Sequence, residues 1–95
     1  MTVFEYEDKT YELSMTRAGV RAAEAQGLRT SQFTETPFTA LDLLFFASLY
    51  KYKVSPAKSS TMLEDLLNDG TFKFEKLFEE LADAYAGLFG SGESE

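Results

Sequence analysis

The chain has 95 residues, a net charge of −7, and neither cysteine nor histidine. Its length predicts a single domain with a modest core, and 44% hydrophobic against 26% charged residues indicates a globular chain rather than a disordered one. Without cysteine and histidine the chain lacks disulfides, thiolate nucleophiles and the commonest metal ligands, while the acidic charge disfavours binding to nucleic acid.

Residues 2–15 predict a β-hairpin, because apolar and polar residues alternate along two short runs on either side of a polar stretch at 7–10. The apolar positions are Phe4, Tyr6, Tyr11, Leu13 and Met15. A two-stranded ribbon is marginally stable alone, so its apolar face is expected to lie on helices.

A first helix is predicted over residues 17–26, with Thr16 as its N-cap and Gly27 at its C-terminal end. The helix is rich in alanine and should approach a neighbour closely. Gly19 in its interior costs about 1 kcal/mol relative to alanine, which favours a role in close contact with the hairpin. Residues 29–35 are predicted to be a connecting loop.

The next helix, predicted over residues 37–52, is apolar around most of its circumference. Thr36 is a suitable N-cap and Pro37 a suitable first residue. At 100° per residue, Phe46 and Leu49 fall in or beside the one strip that carries polar residues, so no clean solvent face remains. The apolar run covers about a dozen residues, short of the roughly 20 that span a bilayer.

Two more helices are predicted, over residues 56–68 and 73–89. The first begins at Ser55 and Pro56 and ends before Gly70, and the second is the clearest amphipathic helix of the chain. Residues 90–95 are predicted to be a flexible tail. The expected fold is therefore α+β and mainly α, a single domain over residues 1–89 with an N-terminal hairpin packed on about four helices.

No catalytic, metal or cofactor site is predicted. Asp65, Asp69 and Gly70 match part of a calcium-binding loop, but Lys76 stands where the bidentate glutamate is required, so a helix end is the better interpretation. The acids at positions 79, 80 and 83 are interpreted as a solvated helix face, because nothing in the sequence supplies a cleft around them. We expect a non-catalytic protein.

The order of these features resembles the small tail assembly chaperones of long-tailed bacteriophages and prophages. The resemblance runs over residues 3–89. It is carried by the hairpin, by residues 13–17 leading into a small helix that ends near residues 24–27, by Pro37 and the apolar residues 43–47, and by the capped helix and acidic C-terminal helix that follow. These motifs contain no catalytic signature.

The resemblance implies a protein made in the host bacterial cytoplasm and absent from the mature virion. Members of that family bind the long, helical, aggregation-prone tape measure protein and help the tail tube protein polymerise around it. The family often makes a second, longer product by ribosomal frameshifting near the end of the first reading frame. It offers no catalytic residues to carry over.

Phe46, Leu49, Tyr50 and Asp42 are the residues that we expect to contact a partner, since excess apolar helix surface suits a holding protein. The alternative is that the large apolar residues are core beneath the hairpin. A homo-oligomer would use the same surface. Two other functions remain open, a structural head-tail or tail component and an acidic inhibitor that mimics DNA.

Overall fold

A two-stranded antiparallel hairpin and five α-helices form the fold in the computed structural model, which describes residues 2–93 and the side chains of residues 2–88. The elements are β1 (Val3–Tyr6), β2 (Lys9–Glu12), α1 (Arg17–Ala25), α2 (Gln32–Glu35), α3 (Pro37–Ser48), α4 (Pro56–Asn68) and α5 (Phe74–Glu93). This confirms the predicted α+β class, mainly α, with the hairpin packed on the helices.

The hairpin turns over only two residues, Glu7 and Asp8, whose φ angles are 52° and 67°. Two consecutive positive φ angles define the type I′ turn, whose twist matches that of the flanking strands. The sequence placed residues 7–10 between the strands, but Lys9 and Thr10 belong to β2 and pair with β1. The loop is shorter because a type I′ turn needs no more than two residues.

The apolar face of the hairpin lies on the helices through Phe4. The Phe4 ring stacks on Tyr11 across the strands, with centroids 5.5 Å apart. It also contacts Phe45 of α3 at 5.9 Å and Phe72, in the segment before α5, at 5.3 Å. These aromatic contacts connect the ribbon to the central helix and give it the stability that two strands lack.

Helix α3 is the centre of the domain, which explains why its sequence is apolar almost all round. Helices α1, α2, α4 and α5 all contact it, and the hairpin covers it through Phe45. Its buried residues are Ala40, Leu41, Leu44, Phe45, Phe46, Ala47 and Ser48. A helix surrounded by other elements needs no solvent face.

The predicted helix over residues 37–52 ends earlier, at Ser48, and is followed by a 3₁₀ turn at Tyr50–Tyr52. The Ser48 carbonyl accepts a hydrogen bond of 3.0 Å from the Ser14 amide, while the Tyr52 amide donates to Leu49 three residues back. The i−3 bond of Tyr52 is the 3₁₀ pattern, and the Ser14 bond joins this turn to the end of the hairpin.

The predicted loop over residues 29–35 contains the short helix α2, and Thr36 does not cap α3 with its side chain. Instead the Thr36 amide donates to Gln32 at 2.9 Å, and its carbonyl accepts from Ala40 at 3.0 Å. Thr36 is therefore the junction between two helices. Pro37, at the first helical position, has no amide hydrogen and so needs no acceptor of its own.

Helix α1 begins at the predicted residue and ends one residue before the predicted end, at Ala25, but the neighbour of Gly19 is different. The Thr16 hydroxyl accepts a hydrogen bond from the Gly19 amide at 3.0 Å, and Gly27 has a φ of 111°, as a helix-ending glycine requires. A Cβ on Gly19 would lie 2.3 Å from the Ala47 carbonyl oxygen. Gly19 therefore permits close packing against α3, and not against the hairpin.

Helix α4 has its predicted bounds, whereas α5 extends to Glu93, past the predicted end at residue 89. The predicted tail over residues 90–95 is thus helical as far as Glu93, and residues 94 and 95 lie outside the described part of the chain. Extending an existing helix is cheaper than starting one, so a glycine-rich continuation can remain helical. Within residues 2–93, none of the helices combines the length and hydrophobicity needed to cross a lipid bilayer.

Candidate partner-binding surface

Two of the predicted contact residues are core residues. Leu49 has no exposed surface and Phe46 is 8% exposed, and both belong to the cluster that contains the hairpin residue Phe4. The prediction that Phe46 and Leu49 contact a partner is therefore wrong, and the alternative, that they are core residues, is correct. The physical reason is that α1 and the 3₁₀ turn contact each other and cover this end of α3, where Gly19 lets the helices approach.

The other two predicted residues keep exposed surface, but they lie in different places. Tyr50 is 43% exposed and lines a depression of about 420 Å³ with Phe46, Lys51 and Val54. Asp42 is half-buried in a groove between α3 and α4. The four residues do not share one surface, because α3 ends before Tyr50 and the helical projection no longer applies to it.

Phe38 is the most exposed large hydrophobic residue of the described side chains, at 71%. It lies in the first turn of α3, just after Pro37. Its ring centroid is 4.4 Å from that of Phe74, the first residue of α5. Phe38 is not among the residues predicted to contact a partner, although its place at the start of the helix, ahead of the fully surrounded part, is a signal that favours exposure.

A groove runs along both sides of Phe38. One part, of about 240 Å³, lies between α3 and α4, and the other, of about 500 Å³, lies between the end of α4 and the start of α5. The two parts share Phe38, Glu64 and Leu67. We call this the Phe38 groove and define it by Phe38, Asp42, Glu64, Leu67 and Phe74. It combines an aromatic wall with an acidic side.

A family model with the description Domain of unknown function (DUF5055) matches residues 1–95. The chain belongs to this family. No curated protein and no solved structure matches it. What the DUF5055 domain does must therefore be argued from its own residues and surfaces.

The acids predicted to form a solvated face of α5 are not all solvent-facing in the DUF5055 domain. The Glu80 carboxylate accepts hydrogen bonds from the Thr2 hydroxyl, at 2.8 Å, and from the Thr2 amide, at 3.3 Å. Glu80 therefore ties the start of the hairpin to α5. Among the side chains of residues 2–88, no three acidic groups are placed so that they could hold a metal ion.

Asp42 is the electrostatically unusual residue of the Phe38 groove. Partial burial raises the pKa of its carboxyl group, a hydrogen bond with Ser60 lowers it, and the nearby negative charge of Glu64 raises it. The net effect is a raised pKa. The ionised carboxylate is thus less well accommodated here than in water, and it stands beside a second negative charge.

This raised pKa predicts that Asp42→Asn stabilises the DUF5055 domain at pH 7. A group with a higher pKa folded than unfolded opposes folding when ionised, and this penalty disappears as the pH falls through the folded pKa. We expect a gain in unfolding free energy of up to about 0.5 kcal/mol, the usual scale for a partly exposed substitution. Urea unfolding at pH 7 and at pH 3 measures it.

Below the ordinary aspartate pKa of about 4, both the folded and the unfolded protein are protonated at this position, so the variant and wild type should be equally stable at pH 3. Glu64→Gln is the matched control and should give a smaller gain, because it removes only the charge interaction and not the burial of Asp42. A loss of stability in Asp42→Asn at pH 7 would contradict this electrostatic account.

Proposed function

We propose that this chain is a phage or prophage tail assembly chaperone. It binds the tape measure protein in the host bacterial cytoplasm, keeps it soluble, and promotes assembly of the tail tube around it without catalysing a reaction. It is released before the virion matures. The DUF5055 domain acts as a holding protein, and the Phe38 groove is its client site.

The observation that carries the proposal is the exposure of Phe38 beside a groove. Burying a phenylalanine side chain contributes about 1.5–3 kcal/mol. Phe38 is 71% exposed in the free protein, so most of this stabilisation is gained only when a partner covers the ring. Exposed apolar surface at a groove is typical of protein-binding sites. A groove between helices suits an amphipathic helix, which is the form a helical client presents.

The charge of the chain supports the same function. A net charge of −7 on 95 residues keeps a complex with an aggregation-prone client in solution. The order of hairpin, small helix, apolar helix and acidic helix supplies the identity of the client, through the resemblance to tail assembly chaperones. Nucleic acid is a poor alternative partner for so acidic a chain.

The test is co-expression with the tape measure protein encoded near this chain, comparing wild type with Phe38→Ser. We expect wild type to keep the tape measure protein soluble and to copurify with it. Phe38→Ser should weaken the complex about tenfold or more, because the apolar contact is lost. Val3→Ser is the matched control, since Val3 is 58% exposed on β1 and lies outside the Phe38 groove.

Four results would contradict the proposal or its client site. Absence of any complex with the tape measure protein would remove the chaperone function. Presence of the protein in purified mature particles would favour a structural head-tail or tail component. Competition with DNA for a nuclease or polymerase would favour an acidic inhibitor that mimics DNA. Equal binding by Phe38→Ser and wild type would move the client site away from the groove.

A further inference from the structure

We infer that the Phe38 groove selects a partner helix that carries an apolar residue and, one helical turn from it, a lysine or arginine. The apolar residue packs on Phe38 and Phe74, and the cation lies between Asp42 and Glu64. The identity of the partner as the tape measure protein rests on the proposed function, whereas the chemistry of the binding helix rests on the groove itself.

The spacing between the apolar residue and the cation on the partner helix follows from the position of two residues on α3. Phe38 and Asp42 are four residues apart and both line the groove between α3 and α4. Residues at i and i+4 of a helix lie on one face with Cβ atoms about 6 Å apart. A partner helix lying along this face therefore meets both with side chains that are themselves three or four positions apart.

The positive charge that we infer on the partner helix follows from acidic residues on both walls of the groove. Asp42 projects from α3 and Glu64 from α4, close enough for the Glu64 charge to act on Asp42. In the part of the chain that the structure describes, no lysine or arginine forms an ion pair with either of them, and the lysines that do form ion pairs bind Glu12 and Glu7. A cation from the partner would relieve the repulsion and compensate the partial burial of Asp42.

The groove also has a direction. Its far part, at the start of α5, is lined by Lys73 with Asn68 and Phe74, and it shares Glu64 with the part between α3 and α4. The acidic side of the groove is thus at α3 and α4, and a cation is at the α5 end. The partner helix should place its own lysine or arginine over Asp42 and a neutral or acidic residue towards Lys73. Complementary charges of this kind set orientation and partner choice more than affinity.

A second copy of this chain is a poorer occupant than such a helix. Each copy carries a charge of −7. A two-fold interface through the Phe38 groove would bring the Asp42 and Glu64 side chains of both copies to the same contact, where like charges repel. The groove therefore favours a partner with basic residues.

The test uses synthetic helical peptides of about 20 residues, long enough to form a helix in alanine-rich sequence. The three peptides have the same sequence, including the phenylalanine that is meant to pack on Phe38, except at one position. Four residues after that phenylalanine they carry lysine, glutamine or glutamate. Binding to the full chain is measured by fluorescence anisotropy at low and physiological salt. We expect the lysine peptide to bind about tenfold tighter than the glutamate peptide, with glutamine between them.

The matched variant is Asp42→Asn combined with Glu64→Gln, which keeps the shape of the groove and removes both charges. It should bind all three peptides alike, and lose the salt dependence seen with the lysine peptide. Phe38→Ser should weaken all three. Circular dichroism and urea unfolding of each variant confirm that the fold is intact.

Equal affinity of wild type for the lysine and glutamate peptides, or no binding of any peptide, would overturn the inference. So would a dimer in sedimentation that Phe38→Ser dissociates, because the groove would then be occupied by a second copy. These outcomes are separate from the test of the proposed function. If the lysine peptide binds selectively while the tape measure protein does not bind, the groove chemistry stands and the client was wrongly identified.

Discussion

Leu49→Asp is expected to leave the protein unfolded at neutral pH. Leu49 has no exposed surface, so the substitution removes about 1.5–3 kcal/mol of buried leucine. An ionised carboxylate in the same place, without a partner charge, adds a desolvation penalty of several kcal/mol. Small domains have a total stability of about 5–15 kcal/mol, so the sum consumes most or all of it. Circular dichroism and size-exclusion chromatography of the purified variant measure the outcome.

Tyr50→Asp is the matched control, because it places the same charge one residue later on a side chain that is 43% exposed. This variant should fold, with a loss of about 1 kcal/mol or less. A folded, monomeric Leu49→Asp that no longer holds a client would contradict the placement of Leu49 in the core. It would return Leu49 to the contact surface that the sequence suggested.

Gly19→Ala is expected to destabilise the protein even though alanine is the better helix former. A Cβ at this position would lie 2.3 Å from the Ala47 carbonyl oxygen and 3.1 Å from the Cβ of Tyr50. The closer contact is with backbone, so α1 and α3 must move apart. Overpacking of this kind costs about 1–3 kcal/mol, against a propensity gain of about 1 kcal/mol. Because backbone must move, the cost should lie near the upper end, about 3 kcal/mol, so after the propensity gain we expect a net loss of about 2 kcal/mol in urea unfolding.

Gly87→Ala tests the same change where space is free. Gly87 lies inside α5, and a Cβ there would have nothing within 4 Å. Only the higher helix propensity of alanine applies here, so the unfolding free energy of this variant should rise by about 0.5–1 kcal/mol. Opposite signs for the two glycines would establish that α1 packs on α3 through Gly19. A gain in both variants would show that α1 sits further from α3.

The elements that local residue chemistry defines were predictable. Helix α4 has the bounds that Ser55, Pro56 and Gly70 indicate, because a capping hydroxyl, a proline in the first turn and a glycine with positive φ after the last turn act within a few residues. The hairpin was predictable from alternation. The turn at Glu7 and Asp8 was not, since both positive φ angles occur at non-glycine residues.

The contact surface was not predictable, because periodicity loses its meaning on α3. The rule that apolar residues face inward selects a side only where polar residues mark the other side. On α3 nearly every position is apolar, and Leu49 follows it directly, so Phe38 and Leu49 look equivalent in the sequence. The structure separates them, with Phe38 exposed at the first turn and Leu49 buried where α1 and the 3₁₀ turn pack.

The sequence by itself determined the class of fold, most helix limits and the presence of one helix too apolar to face water. Only the tertiary structure decided that this helix lies at the centre, that Phe46 and Leu49 are core, and that Phe38 borders a groove with Asp42 and Glu64. The physical reason is the distance along the chain over which each kind of interaction acts. Caps, turns and alternation depend on neighbours in the chain, whereas the exposure of a residue on α3 depends on which of the other helices and the hairpin reach its side.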